Sequence, residues 1–170
     1  MPLTKIALRC SQDLPDTDPL AVPLATYLDE HVEEEVGHDE TLLDDLELVG
    51  VERATVVARM PSPTVAALVG AQYYWIVHHH PVAFLGFVAL MEGHPPTPEL
   101  IETLIERTGF PREAFRTYIE HGDLDPGHRD HLDETLDSLP LTAEDESMLG
   151  VSAIASSDLA ARALGELLDD

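Results

Sequence analysis

The stretch LATYLDEHVEEEVGHDETLLDDL, residues 24–46, decides the fold. Wound as a helix at about 100° per residue, it places Leu24, Tyr27, Leu28, Leu42 and Leu46 on one face, the apolar stripe that enters a core. His31, Glu35 and His38 fall on that same stripe. Asp29, Glu33, Asp39 and Asp44 largely lie opposite, where a solvated face keeps its charge. Ionisable groups on a core-facing stripe are costly unless something pairs them. The spacing His-x3-Glu-x2-His sets three metal-ligating side chains at i, i+4 and i+7, close enough in angle to converge on one point. Glu34 competes with Glu35 for the inward position.

The spacing recurs as His121-x3-Asp125-x2-His128, followed by Leu132, Leu136 and Leu139 on a continuing stripe. Two helices that each present imidazole and carboxylate are how bundles hold paired metals, and those donors suit iron, manganese or zinc. A third element fits this pattern. Residues 82–91 are wholly apolar, and Glu92 is the first charge after them, in phase with Leu85 and Ala89 and placed to bridge two metals. Each feature also has a plainer alternative. Either triplet alone reads as surface or capping residues, and Glu92 before Gly93 as an exposed helix end. Asp125-Pro126-Gly127 reads locally as a turn, with Asp125 capping a new helix and the triplet lying across a kink.

Working outward, helical punctuation dominates. Asp18-Pro19, Ser62-Pro63, Thr97-Pro98 and Thr142 each offer a capping side chain. Gly50, Gly93 and Gly109 follow apolar runs where C-terminal caps belong. The pattern predicts helices near 18–49, 63–79, 81–92, 98–108, 111–121, 125–138 and 143–168. Only Ala54 to Val57 has strand-like character, and residues 10–18 read as a short loop. The expectation is an all-α bundle forming one domain over 1–170, with 1–17 a short N-terminal segment and 18–170 the metal-binding bundle.

Composition narrows the partners. With 33 Asp plus Glu against 9 Lys plus Arg, the net charge is -24, a surface that repels phosphate backbones and anionic membranes. Neither nucleic acid nor membrane is expected, and the acidity matches a salt-adapted source. Cys10 is the one cysteine, so no intrachain disulfide or multi-cysteine zinc site is available. No run approaches the ~18 apolar residues a membrane helix needs, and the N-terminus lacks a signal-like pattern. A cytoplasmic setting is expected.

Other candidates carry less. His78, His79 and His80 precede Pro81 and read as core or supporting histidines outside the site. The seven-residue separation of His31 and His38 is not the HExxH of zinc peptidases. Tyr73, Tyr74 and Trp75 read as core aromatics and Cys10 as a buried inert thiol. No phosphate loop or serine nucleophile elbow is present.

The segments YLDEHVEEEVGH (27–38) with Leu42 to Leu46, Tyr74-Trp75, His80-Pro81, Leu85-Gly86, Met91 to Gly93, and HGDLDPGH (121–128) together resemble the bacterial iron-containing redox enzyme family. That family lies within the heme-oxygenase-like diiron oxidases and oxygenases. The resemblance covers about residues 20 to 168. It implies a heme-oxygenase-like helical bundle without heme, N-terminally shortened, since relatives usually carry a further N-terminal helical segment. A pocket left open on that side would be closed by a partner chain, and a homodimer fits. The implied metal ligands are His38, Glu92, His121, Asp125 and His128, with Glu35 or His31 completing the set. His31 is a departure, because relatives often carry a carboxylate at that turn. The implied function is O2 activation at non-heme iron, two ions or else manganese or zinc, with oxidation of a small organic substrate. A metal-binding or accessory protein without turnover is the alternative. A hydrolytic, thiaminase-like member would need a cysteine nucleophile, and Cys10 is poorly placed for it.

Overall fold

The structure is a computed structural model describing residues 2–168. Among them are nine α-helices and no strand: α1 (Pro2–Gln12), α2 (Ala21–Glu34), α3 (His38–Leu48), α4 (Arg53–Ala58), α5 (Pro63–His78), α6 (Phe84–Glu92), α7 (Pro98–Thr108), α8 (Arg116–Ser138) and α9 (Ala143–Gly165). Three 3-10 turns sit at Pro81–Ala83, Arg112–Phe115 and Glu166–Leu168.

The expected caps form. Ser62 accepts from the Val65 N–H, Thr97 from the Leu100 N–H, and Thr142 makes a reciprocal capping box with Asp145. Asp18 works differently, taking the Leu20 N–H at 2.9 Å, so α2 starts at Ala21 and not beside Pro19. The main core gathers Leu24, Tyr27 and Leu28 of α2 with Ile76, Leu85, Val88, Leu132 and Leu139. A second cluster under α7 joins Ile101, Ala114 and Phe115.

Four expectations are corrected. Residues 2–12 form a helix inside the region read as a short N-terminal segment; Leu3, Ile6, Ala7 and Leu8 gain burial only by packing on the main core, a non-local contact. Ala54 to Val57 are helical, within α4. The long helix expected over 18–49 is two helices, because Gly37 takes a left-handed backbone (φ 96°) that ends one and starts the other. That bend resets the helical phase. In α3 the buried residue is Asp45, whereas Leu42 is exposed and Leu46 half-buried. Conversely, α8 runs unbroken through Pro126, replacing the two helices expected over 111–121 and 125–138.

Asp45 explains how the two cassettes are held together. Its carboxylate accepts from the Thr117 N–H at 2.8 Å, the Thr117 hydroxyl at 2.9 Å and Arg116 Nε at 3.1 Å. It thereby caps the first turn of α8 from α3, satisfying donors that a helix start leaves open. One turn later on α8 stands His121.

Candidate metal centre

The last turn of α2 contributes His31, and the turn after it contributes Glu35. His38 opens α3, Glu92 ends α6, and His121, Asp125 and His128 line one side of α8. All seven sequence candidates therefore come from four elements that meet at one place. His31, Glu92 and Asp125 are 5%, 7% and 2% exposed, which rules out the exposed helix-end reading of Glu92.

Two three-residue groups bring donor atoms within 4.8 Å of one another: Glu35, His38 and His121, and Glu35, Glu92 and His128. The shared carboxylate is Glu35. Sequence phase had put Glu92 in the bridging place, and Glu92 belongs to one group only. Glu35 also prevails over Glu34, whose side chain is 40% exposed and reaches only His128, at 3.7 Å. Within the centre, His38 Nδ1 lies 3.0 Å from Glu35 Oε2, and His31 Nε2 lies 3.3 Å from Glu92 Oε1. His121 Nδ1 is 2.8 Å from the Thr117 carbonyl, which only accepts, so this nitrogen carries the proton. The lone pair is left on Nε2, free to bind a metal.

Electrostatics point to a cation. Burial pushes the Glu92 carboxyl up to about 8, and the charges of Glu35, Asp125 and Glu34 push in the same direction. Burial also raises Asp125, against the favourable influence of His121 and His128. Burial lowers His31 to about 4. The His31–Glu92 contact therefore joins two neutral groups near pH 7. Burial, then the charges of Glu92, Glu34 and Glu35, push Tyr27 upward. Carboxylates are crowded here, and among the described residues they pair with histidines and with no Lys or Arg. Moreover Glu92 Oε2, Asp125 Oδ1 and His128 Nδ1 are buried with no hydrogen-bond partner. Unpartnered buried donors and acceptors are rare and expensive, and three of them in one nitrogen and oxygen cluster fit a divalent transition metal such as iron.

Beside the cluster lies a cavity of about 230 Å³, with Phe84, Phe87, Val88 and Met91 as its apolar wall and Thr4 of α1 at its edge. Thr4 escaped the sequence reading because α1 did. Two aromatic contacts also went unread: Tyr27 stacks on His31 with centroids 5.7 Å apart, and His131 meets Tyr27 edge-on at 5.2 Å while its Nε2 lies 3.4 Å from Glu30. The available signal was the position of His131, three residues after His128. His78 and His79 are exposed beside Tyr74 and Trp75, and His80 caps the turn before α6 through Val82 N–H. Tyr74 itself is exposed, not a core aromatic. No helix among the described residues is long and apolar enough to cross a membrane.

A profile of the family described as iron-containing redox enzymes matches residues 5–159. Among solved structures, the chain is similar to a domain of unknown function with a heme oxygenase-like fold from Shewanella denitrificans OS217. The TM-score is 0.84 at 21% identity, covering 99% of this chain and 70% of that one. The fold is thus the heme-oxygenase-like helical bundle. None of the curated proteins matches.

Proposed function

The chain belongs to the iron-containing redox enzyme family, and from that premise we propose a non-heme iron oxidoreductase that holds two iron ions among α2, α3, α6 and α8. In this reading O2 is the oxidant and a small organic molecule seated in the adjoining cavity is the substrate. The observation that carries the proposal is Glu35, common to two donor groups that each fit a single ion. Iron bound by these side chains supplies the electrons that reduce O2.

Each side chain then has a definable task. Glu35 offers one oxygen to each group. His38 and His121 complete the first group, Glu92 and His128 the second, and Asp125 lies between His121 and His128 on α8. His31 either steadies Glu92 through Nε2 or adds a donor beside it. Near neutral pH Glu92 keeps its proton in the metal-free protein and would release it to solvent on holding a cation, so loading would be coupled to pH. Phe84, Phe87 and Val88 keep water away from the apolar side of the centre. A cavity of about 230 Å³ favours a compact substrate, of amino-acid or amine size, over a long acyl chain.

The test is anaerobic Fe(II) titration of the metal-free protein, followed by mixing with O2 under stopped-flow absorbance. The expected result is two equivalents bound and an O2-dependent transient, with one equivalent and no transient in His121→Ala. Absence of iron binding above that of the variant would sink the proposal. Two equivalents bound without O2 consumption would leave a metal-binding protein without turnover.

A further inference from the structure

From Met60 to Met91 the chain carries no Asp, Glu, Lys or Arg, although it has 33 acidic and 9 basic residues elsewhere. Burial accounts for the later part of that run, since Val82, Phe84, Leu85 and Val88 are core residues. It does not account for α5. In α5 the buried residues are Gln72 and Ile76, and Gln72 donates to Ser156 on α9 at 2.9 Å. Its outward face presents Ala66, Gly70, Tyr74 and Val77, the last two 52% and 54% exposed. Ile76 enters the core, yet the side of α5 turned to solvent is uncharged and largely apolar as well, unlike the polar outer face of an ordinary surface helix. Exposed Met60 leads into its start, and the C-terminal turn bearing exposed Leu167 is fastened there by the Thr64–Glu166 hydrogen bond. Together they extend the patch beyond α5.

We propose that the outward face of α5 is the contact surface for a second copy of this chain. Charge selects that occupant. Two bodies of net charge -24 repel wherever acidic surface meets acidic surface, and over the four turns of α5 they can meet with no charge opposed. A two-fold axis lays such a patch on itself, and an uncharged apolar patch is its own complement. The small side chains of Ala66 and Gly70 allow two helices to approach closely, and a Cβ at Gly70 would meet nothing within 4 Å of its own chain. The proposal stands apart from the metal reading, since α5 contributes none of the seven candidate donors.

The repulsion also fixes a sign. Salt screens the two acidic bodies from each other, so the dimer should tighten as salt rises from dilute buffer to molar concentration. A contact between unlike charges would loosen. Sedimentation velocity on the full chain reads this directly. The expected wild-type result is a species of twice 18.6 kDa whose dissociation constant falls with added salt. Gly70→Glu and, separately, Val77→Glu place a carboxylate beside its symmetry mate and should weaken association by about a hundredfold. Circular dichroism and iron loading should stay unchanged. Leu100→Glu, at an exposed position of α7, should leave the dimer intact. A wild-type monomer at every salt concentration overturns the proposal. So does a dimer that withstands both α5 variants, which would place the contact elsewhere.

Discussion

The cassettes His31-x3-Glu35-x2-His38 and His121-x3-Asp125-x2-His128 share a spacing and nothing of their backbone. The first breaks: α2 ends at Glu34, Gly37 turns with positive φ, and His38 opens α3. The second carries the more obvious breaker, Pro126, yet stays helical from Arg116 to Ser138. Equal spacing therefore dictates reach, not conformation. A break puts Glu35 at the junction of two helices, where one carboxylate can serve two donor groups, whereas an unbroken helix stacks Asp125 and His128 along one side. The centre is asymmetric for that reason.

The largest effect should come from removing the junction carboxylate. Glu35→Ala is expected to abolish both iron equivalents, with affinity down by about a hundredfold or more, equivalent to roughly 3 kcal/mol. His121→Ala should cost only the group containing His38, leaving the Glu35, Glu92 and His128 donors. Equilibrium titration with Fe(II) or Co(II) separates the two. If Glu35→Ala still held one equivalent tightly, the shared carboxylate would not be shared.

Next in size is the joint that aligns the cassettes. Asp45 is 4% exposed and binds Arg116 and Thr117 at the start of α8. Asp45→Ala leaves those donors without their buried acceptor and should cost about 2 kcal/mol in chemical denaturation, with weaker iron binding because His38 and His121 lose their alignment. Neighbouring Asp44, exposed and paired to Arg53 and Arg116, should cost under about 0.5 kcal/mol. Equal losses would show that the cap does not set the joint.

The metal-free protein should also reveal its crowded carboxylates through pH. Folded Glu92 titrates near 8 against an ordinary 4.5, so between those values the folded chain holds more protons than the unfolded one and stability falls as pH rises. His31, near 4 against 6.5, acts oppositely and stabilises with rising pH until 6.5. The two oppose each other up to pH 6.5, and from 6.5 to 8 the Glu92 effect is left. The metal-free protein should lose about 1 to 2 kcal/mol over that interval. Iron-loaded protein, whose carboxylates are neutralised by a cation, should stay flat; parallel curves for both forms would contradict that expectation.

Much of this was legible in the residues, and the failures have physical causes. Ser62, Thr97 and Thr142 act locally, through N–H groups three residues away, so the helices they start agree with the sequence pattern. Helix α1 owes its burial to α2 and α5, which no local pattern reports. Leu42 was assigned to the core by extending one helical phase through Gly37, and a single left-handed residue was enough to turn it out to solvent. Charge on an apolar stripe is visible in one dimension, which is why the spacing could single out seven residues that the fold brings close together. That Glu35 and not Glu92 joins two groups depends on how α2, α6 and α8 meet, which spacing along the chain does not encode. Tyr27 against His31 and Thr4 beside the cavity are contacts of the same non-local kind.

The smallest effects sharpen the comparison most. Gly37→Ala forces a Cβ into left-handed backbone, and because a Cβ there meets nothing within 4 Å, the cost is conformational alone, about 1 kcal/mol net. Pro126→Ala restores an N–H that can bond the Gly122 carbonyl one turn back, so it should leave α8 slightly more stable, by about 1 kcal/mol. The stability changes thus have opposite signs, and the iron affinities should diverge as well. Gly37 decides where His38 stands relative to Glu35, so its alanine variant should bind iron more weakly. Asp125 and His128 keep their helical register without Pro126, so that variant should load normally. Thermal denaturation of the metal-free forms beside Fe(II) titration of each tests both statements. If Pro126→Ala weakened binding as much as Gly37→Ala, the proline would be shaping the centre through α8, and the asymmetry between the two cassettes would lie in side chains rather than backbone.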